Sequence, residues 1–287
     1  MKRLTDLSCS YKNGESGLNQ PSFSKTRRDN FFSLITGASM GIGEAFAREL
    51  GARGHNLVLV ARSGERLHTL AEALRKERGI RVEVCVVDLS YVDAPVAVYE
   101  FCSQLHIKVD FLVNCAGLSR AGYFDDILPG KLEEIMMVNM MAMAKLTRLF
   151  ASDMVARRQG NIINIASLGG LQGVPGLALY SASKAFVITL TEALYIELKN
   201  KGINVVVVCP GFIDTGFFEH AGHNAAKIRL PLSGTDVVVK AAITGLEKKK
   251  IRVFPTLLDV ILVFLQRLVT RKTVVRLAGF FSAVHDD

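Results

Sequence analysis

Residues 31–54 read "FFSLITGASMGIGEAFARELGARG". An apolar run of strand length meets a turn carrying Gly37, Gly41 and Gly43, then passes into a stretch with apolar residues at helical spacing. Glycine at 37 permits the tight turn, glycine at 41 lets backbone approach an anion, and glycine at 43 lets the helix lie close on the sheet. The first N–H groups of that helix have no partner within it and face whatever the turn cradles. The spacing GxxxGxG departs from the general dinucleotide fingerprint GxGxxG, so the turn alone does not establish a nucleotide site.

Outward from this unit the rhythm repeats. "NLVLVA" (56–61), "RVEVCVVDL" (81–89), "VDFLVNCAG" (109–117), "NIINIAS" (161–167), "INVVVVCPG" (203–211) and "IRVFP" (251–255) are short apolar runs. Between them lie helical stretches at 65–78, 94–105, 132–158, 179–200 and 236–247. Strands this continuously apolar are covered on both faces, and alternation with long helices implies right-handed βαβ crossovers. The expected fold class is α/β, a single Rossmann-like domain with a doubly wound parallel sheet of about seven strands. The expected limits are a polar extension over 1–30, a catalytic domain over 31–255 and an apolar and basic segment over 256–287. Irregular stretches at 118–130 and 212–232 follow strand ends, where α/β sheets bind ligands, and are expected to wall a substrate pocket.

Composition narrows the function classes. The 287 residues are 49% hydrophobic and 22% charged, with a net charge of +8. The bases are dispersed, without zinc-finger spacing, an aromatic RNP pattern or a basic zipper, which argues against nucleic acid as a partner. Cysteines at 9, 85, 102, 115 and 209 form no framework, so free thiols in a reducing, cytoplasmic setting are expected. The first 30 residues hold no apolar core of a signal peptide and read as a loose leader or arm. No run reaches the 18 or so apolar residues of a spanning helix.

The second strand ends in Ala61–Arg62, where dinucleotide folds place an acid for the ribose diol. The arginine fork suits a 2′-phosphate, favouring NADP(H) over NAD(H). Asp88, ending the third strand beside Leu89, is placed to bind an adenine amino group or to cap the next turn. Small residues Ala116 and Gly117, after Asn114, permit close cofactor approach at the end of strand four.

In "YSASKAFVITLTEALYIEL", from Tyr180, tyrosine and Lys184 fall four residues apart and share a helix face. A neighbouring ammonium is expected to bring the phenol down from its ordinary pKa of about 10 toward neutrality, ready to exchange a proton with an alcohol or ketone. Ser167, at the end of the preceding strand, opens on the same sheet edge and can hold a carbonyl oxygen beside the tyrosine. Alone, the pair is as ordinary as any exposed helix pair.

Together these motifs resemble the classical short-chain dehydrogenase/reductase family over about residues 31–255. "TGASMGIG", "NCAG" and "YSASK" look like its cofactor glycine, strand-four and active-site motifs, in the family's order and spacing. The resemblance implies Asn139, Ser167, Tyr180 and Lys184 as the catalytic residues, with Asn139 anchoring a proton-relay water and Lys184 also meeting the nicotinamide ribose. Cofactor contacts are implied at Gly37, Ser39, Gly41, Ile42 and Gly43, at Arg62, Asp88 and Leu89, and at Asn114, Ala116 and Gly117. Tyr180, Lys184, Pro210, Gly211 and Thr215 complete that set, Thr215 at the nicotinamide carboxamide. Cys115 departs from the family's Asn-Asn-Ala-Gly, and its place is expected to lose a hydrogen bond supporting the sheet. The expected activity is NADP(H)-dependent interconversion of an apolar ketone or 3-oxoacyl group and its secondary alcohol. The alternative is a redox-silent nucleotide sensor or scaffold of the same fold.

Leu171, Val174, Leu177, Phe212, Phe217 and Phe218 are expected to line a mainly apolar pocket. His220 and His223 lack a third ligand, and no metal is expected. In the tail, an apolar stretch at 257–268 is followed by Arg271, Lys272 and Arg276. Two uses are open: packing over the pocket or against another subunit, as in the homodimers or homotetramers that the resemblance implies, or peripheral contact with an anionic membrane.

Overall fold

A computed structural model describes residues 31–217, 221–222 and 228–282. The polar extension, with Cys9, and also Phe218, His220 and His223, lie outside the described residues. Strands β1 (Phe31–Thr36), β2 (Asn56–Ala61), β3 (Val82–Val86), β4 (Lys108–Asn114), β5 (Gly160–Ile165), β6 (Ile203–Val208) and β7 (Arg252–Val253) form one sheet. Its order is β3-β2-β1-β4-β5-β6-β7, with every neighbouring pair parallel.

The continuous apolar runs have a simple cause. Side chains alternate across a strand, and here both faces carry helices. In β2, Leu57 and Leu59 enter one core with Phe46, Leu67 and Leu74, while Val58 and Val60 enter the opposite core with Val98, Phe150 and Met154. The first core is completed by α1 (Gly41–Ala52), α2 (Gly64–Arg78) and α7 (Thr235–Glu247), the second by α3 (Ala94–Gln104) and α5 (Met143–Arg157). α6 (Ala178–Lys199) leads into β6.

The single helix expected over 132–158 is interrupted. α4 (Pro129–Met136) and α5 are joined by a π-helical turn, Met137–Ala142, that holds the buried Asn139. An extra residue in a helical turn leaves no periodic signature, and such turns favour functional positions. The tail also divides, into α8 (Leu257–Leu265) and α9 (Arg271–Ser282). Successive strands add outward on opposite sides of the β1–β4 pair, so a crevice opens beyond their carboxyl ends.

Candidate active site

One cleft of about 1120 Å³ runs along that carboxyl edge. At one end are the turn into α1, Arg62, Asp88 and Leu89; at the centre Cys115, Ala116, Gly117, Ser167, Tyr180 and Lys184; beyond them Pro210, Gly211, Thr215 and the C-terminal helices. Its size exceeds that of an ordinary small-ligand pocket and suits a dinucleotide with a substrate beside it.

The glycine turn is set by contact as well as by conformation. Gly37 has φ +69°, and a Cβ there would stand 2.9 Å from Ala116 Cα; a Cβ on Gly43 would overlap the Gly37 carbonyl oxygen. Any side chain at either place would drive β1, the β4 end and α1 apart. Met40, preceding α1, places no side-chain cap on the helix, so its first N–H groups are left for the cleft. Ser39, Gly41 and Ile42 line the cleft here, and Gly41 faces the Thr215 methyl. Thr36 adds a contact that the apolar pattern of β1 concealed. Its Oγ1 accepts from Cys115 N and Ala116 N, each at 3.0 Å, and so ties β1 to the strand-four motif.

Three of the expected residues make side-chain contacts around this motif that the sequence does not disclose. Asn114 does not line the cleft; its Nδ2 donates to Thr147 Oγ1 (2.9 Å) and Asn164 Oδ1 (2.8 Å) in a buried network that Asn164 extends to Thr191. Its side chain therefore supports the sheet beneath the cleft. Cys115, expected to weaken the sheet, instead faces the cleft, where burial pushes its thiol up to about 12. The side-chain hydrogen bonds that tie the strands here are made by Asn114 and Thr36. Asn139, also absent from the cleft wall, uses its side-chain amide on Leu118 N (2.7 Å), Leu118 O (2.9 Å) and Ser183 Oγ (2.9 Å). It pins the residue after Gly117 to the residue before Lys184, and is a positioning residue.

Ser167 lies two residues beyond β5 and accepts from Gly169 N at 3.1 Å. Tyr180 and Lys184 lie in the first two turns of α6. Lys184 is 5% exposed, its ammonium donates to Ile165 O at 3.0 Å, and it stands 5.7 Å from the centroid of the Tyr180 ring. That geometry overturns the expected lowering of the phenol. Burial pushes Tyr180 up to about 12, with its hydrogen bond to Ser167 acting the other way, while burial brings Lys184 down to about 8. The lysine lies over the ring and points its charge at a carbonyl, so the phenol stays protonated through neutral pH. Phe217 packs on the same ring at 5.7 Å between centroids.

At the α2 end of the cleft, Arg62 Nη1 lies 3.7 Å from both Asp88 Oδ2 and Glu134 Oε1. Asp88 Oδ1 accepts from Ser90 N at 2.9 Å, so this acid does cap its turn, and it also lines the cleft. Arg66, in the first turn of α2 and four residues after Arg62, lines the same end and is a second base there.

Of the expected pocket residues, Val174, Leu177, Phe212 and Phe217 line the cleft. Leu171 does not; it packs into the small core of Met143, Val187 and Val207. Leu262, Leu265, Val274, Leu277 and Phe281 supply much of the apolar wall from α8 and α9. Gln266 Nε2 reaches Gln172 Oε1 at 3.0 Å, and Arg271 Nη1 reaches Leu171 O at 2.9 Å, holding this cover in place.

The family model described as short chain dehydrogenase matches residues 32–226. The chain is 35% identical over 212 residues to the ketoacyl reductase HetN of Nostoc sp., covering 72% of this chain and 74% of that protein. It is 35% identical over 190 residues to a very-long-chain 3-oxoacyl-CoA reductase of Anas platyrhynchos, covering 64% of this chain and 60% of that protein. Among solved structures, a short-chain dehydrogenase from Sphingobium yanoikuyae in complex with NADPH is similar with a TM-score of 0.74 and 33% identity, covering 83% of this chain and 94% of that one.

Proposed function

Since the chain belongs to the short-chain dehydrogenase family, an oxidoreductase family acting on ketone and alcohol groups with NAD(P)(H), we propose that it interconverts an apolar ketone, 3-oxoacyl groups included, and the secondary alcohol with NADP(H). The observation that carries this reading is the convergence of Ser167, Tyr180 and Lys184 with an uncapped, glycine-framed helix start in one cleft. Bound there, the nicotinamide dinucleotide supplies the hydride that the carbonyl carbon accepts.

The chain's own residues handle the proton. Ser167 holds the carbonyl oxygen, and Tyr180, kept neutral by burial, gives that oxygen its hydroxyl proton. A protonated phenol is the form that serves reduction. Lys184, buried beside the tyrosine with its ammonium on Ile165 O, would meet the nicotinamide ribose when the cofactor is bound. Arg62, with Arg66 beside it, supports the NADP(H) preference, since two arginine forks suit a 2′-phosphate and Ala61 removes the acid that a ribose diol would use. The apolar walls from α8, α9 and Phe217 favour an apolar substrate; the reductases of Nostoc and Anas named above accord with a 3-oxoacyl one.

The test is NADPH oxidation across a carbonyl panel of 3-oxoacyl thioesters, steroids, quinones and aromatic aldehydes. Turnover is expected with apolar ketones or 3-oxoacyl thioesters. A protein that binds NADPH and turns over no member of the panel would remove the reading.

A further inference from the structure

The cover over the cleft has a second side. On α8 every exposed residue is apolar: Leu257, Val260, Ile261, Phe264 and Leu265 follow helical spacing, and Leu268 continues the strip just beyond. These six are between 45% and 75% exposed. An apolar strip of this length on an outward face is not left to water without a use. Around it stand Arg267, Arg271, Lys272 and Arg276, all exposed. The segment 256–282 contains a single acid, Asp259, and that side chain is buried.

The strip is continuous with the cleft wall. Leu265, Leu268, Val269 and Leu277 are at once exposed at the surface and part of the cleft lining, so the apolar interior opens onto this same face. We propose that the outer face of α8, with the basic start of α9, docks onto an anionic bilayer surface and turns the mouth of the cleft toward the lipid. Charge chooses this occupant over a second copy of the chain. A two-fold contact pairs the patch with its own copy, whose segment offers no exposed acid to answer these four bases. Anionic headgroups answer them directly. The contact is interfacial, because α8 has nine residues and no described helix is long and apolar enough to cross a membrane. Docking stands on the exposed face alone; only the use of the turned mouth, loading of an apolar substrate from lipid, rests on the function proposed above.

The experiment is co-sedimentation of the full chain with vesicles of phosphatidylcholine alone and of equimolar phosphatidylcholine and phosphatidylglycerol. Wild type is expected to pellet with the mixed vesicles and to be released as salt is raised. Ile261→Ser/Phe264→Ser, two outward residues away from the cleft wall, should weaken partitioning by roughly tenfold or more. Lys272→Glu/Arg276→Glu should abolish the preference for anionic lipid. Turnover of a small water-soluble ketone, unchanged in both variants, reports that the fold is intact, and pelleting is read independently of any activity. The proposal is overturned if wild type ignores both vesicles or if the serine variant pellets as well as wild type. It is equally overturned if wild type forms a lipid-independent dimer that the serine variant disperses.

Discussion

The two ends of the cleft are built from different materials. The nucleotide and chemical end is made of backbone and buried polar groups: glycines that admit no side chain, Thr36 tying two strands, and an Asn114–Asn164–Thr191 network beneath the site. The substrate end is made of apolar side chains on two short helices, held by a few polar ties through Gln266, Arg271 and Asp259. Under the proposed function, one end fixes where atoms react and the other decides what reaches them. Damage should therefore fall on turnover at the first end and on substrate affinity at the second.

The sharpest test of that division is Tyr180→Phe. It removes one hydroxyl and keeps the ring that Phe217 packs on. Turnover should fall by roughly 10²- to 10⁴-fold, the usual weight of a general acid, while cofactor affinity stays within about a few-fold. Steady-state kinetics beside cofactor titration give both values; turnover above about a tenth of wild type would unseat the tyrosine.

Lys184→Met should also lose turnover, and it exposes the energetic cost of the site. Burial lowers the lysine from 10.5 in an ordinary setting to about 8 in the folded chain. Between those values the unfolded chain holds a proton that the folded chain has lost, so wild-type stability rises with pH across the window. Below it the folded protein carries the full cost of a buried ammonium, up to about 3 kcal/mol. Relative to wild type, the methionine variant should thus be more stable at neutral pH, and the advantage should vanish above the window. Denaturant midpoints on either side measure it; an advantage independent of pH would mean that packing, not charge, is responsible.

What the sequence discloses divides along the same line. Gly37, Gly43, Ser167, Tyr180 and Lys184 are legible because backbone contact and proton chemistry demand fixed residue types at fixed spacing. The inner strands are legible because burial on both faces forces continuous apolar runs, whereas the edge strands β3 and β7 are only partly buried and carry Glu83 and Arg252. Asn114 and Cys115 could not be sorted from sequence, because which of two adjacent residues faces the cleft depends on strand register. The π-helical turn at Asn139 has no periodic signal, and the direction of the Tyr180 shift depends on where the lysine's charge points. Leu262, Val274 and Phe281 lie 82 or more residues after Tyr180, and only folding brings them to its cleft.

A weaker effect is expected at the adenosine end. Arg62→Ala should reduce NADPH affinity about ten- to hundredfold and leave NADH nearly unchanged, since a charge-assisted hydrogen bond is worth about 1.5 to 3 kcal/mol. Arg66→Ala should follow in the same direction with a smaller loss. Glu134 and Asp88 complicate the prediction usefully: both lie 3.7 Å from Arg62 in the free protein and compete for it. Glu134→Gln should therefore tighten NADPH binding slightly. Calorimetric titration of both cofactors against the three variants decides it, and equal NADPH and NADH affinities in wild type would refute the phosphate assignment.

The smallest expected effect lies at the join between the two ends. Asp259 sits in the first turn of α8, its Oδ2 accepting from Thr256 N at 3.0 Å while its own N–H donates to Thr256 Oγ1 at 3.1 Å, a reciprocal capping box. Its carboxylate also accepts the backbone N–H of Gly211, and a Cβ on Gly211 would overlap Asp259 Oδ1. Gly211 lines the cleft, so one buried acid fastens the cover to the loop after β6. Burial raises its pKa although its hydrogen bonds to Thr256 and Gly211 pull the other way. Asp259→Ala removes the cap and the loop contact together, and should cost about 1 to 2 kcal/mol of stability. The freed helix should raise KM for bulky apolar substrates about several-fold, with kcat for a small water-soluble ketone held near wild type, because Tyr180 and Lys184 hang from α6 and the sheet. Thr256→Ala, which breaks the cap but spares the Gly211 contact, should lower stability with less effect on KM. If Asp259→Ala instead lowers kcat for the small ketone as strongly as it raises KM for the bulky one, the cover and the chemical end are one unit and the division between them fails.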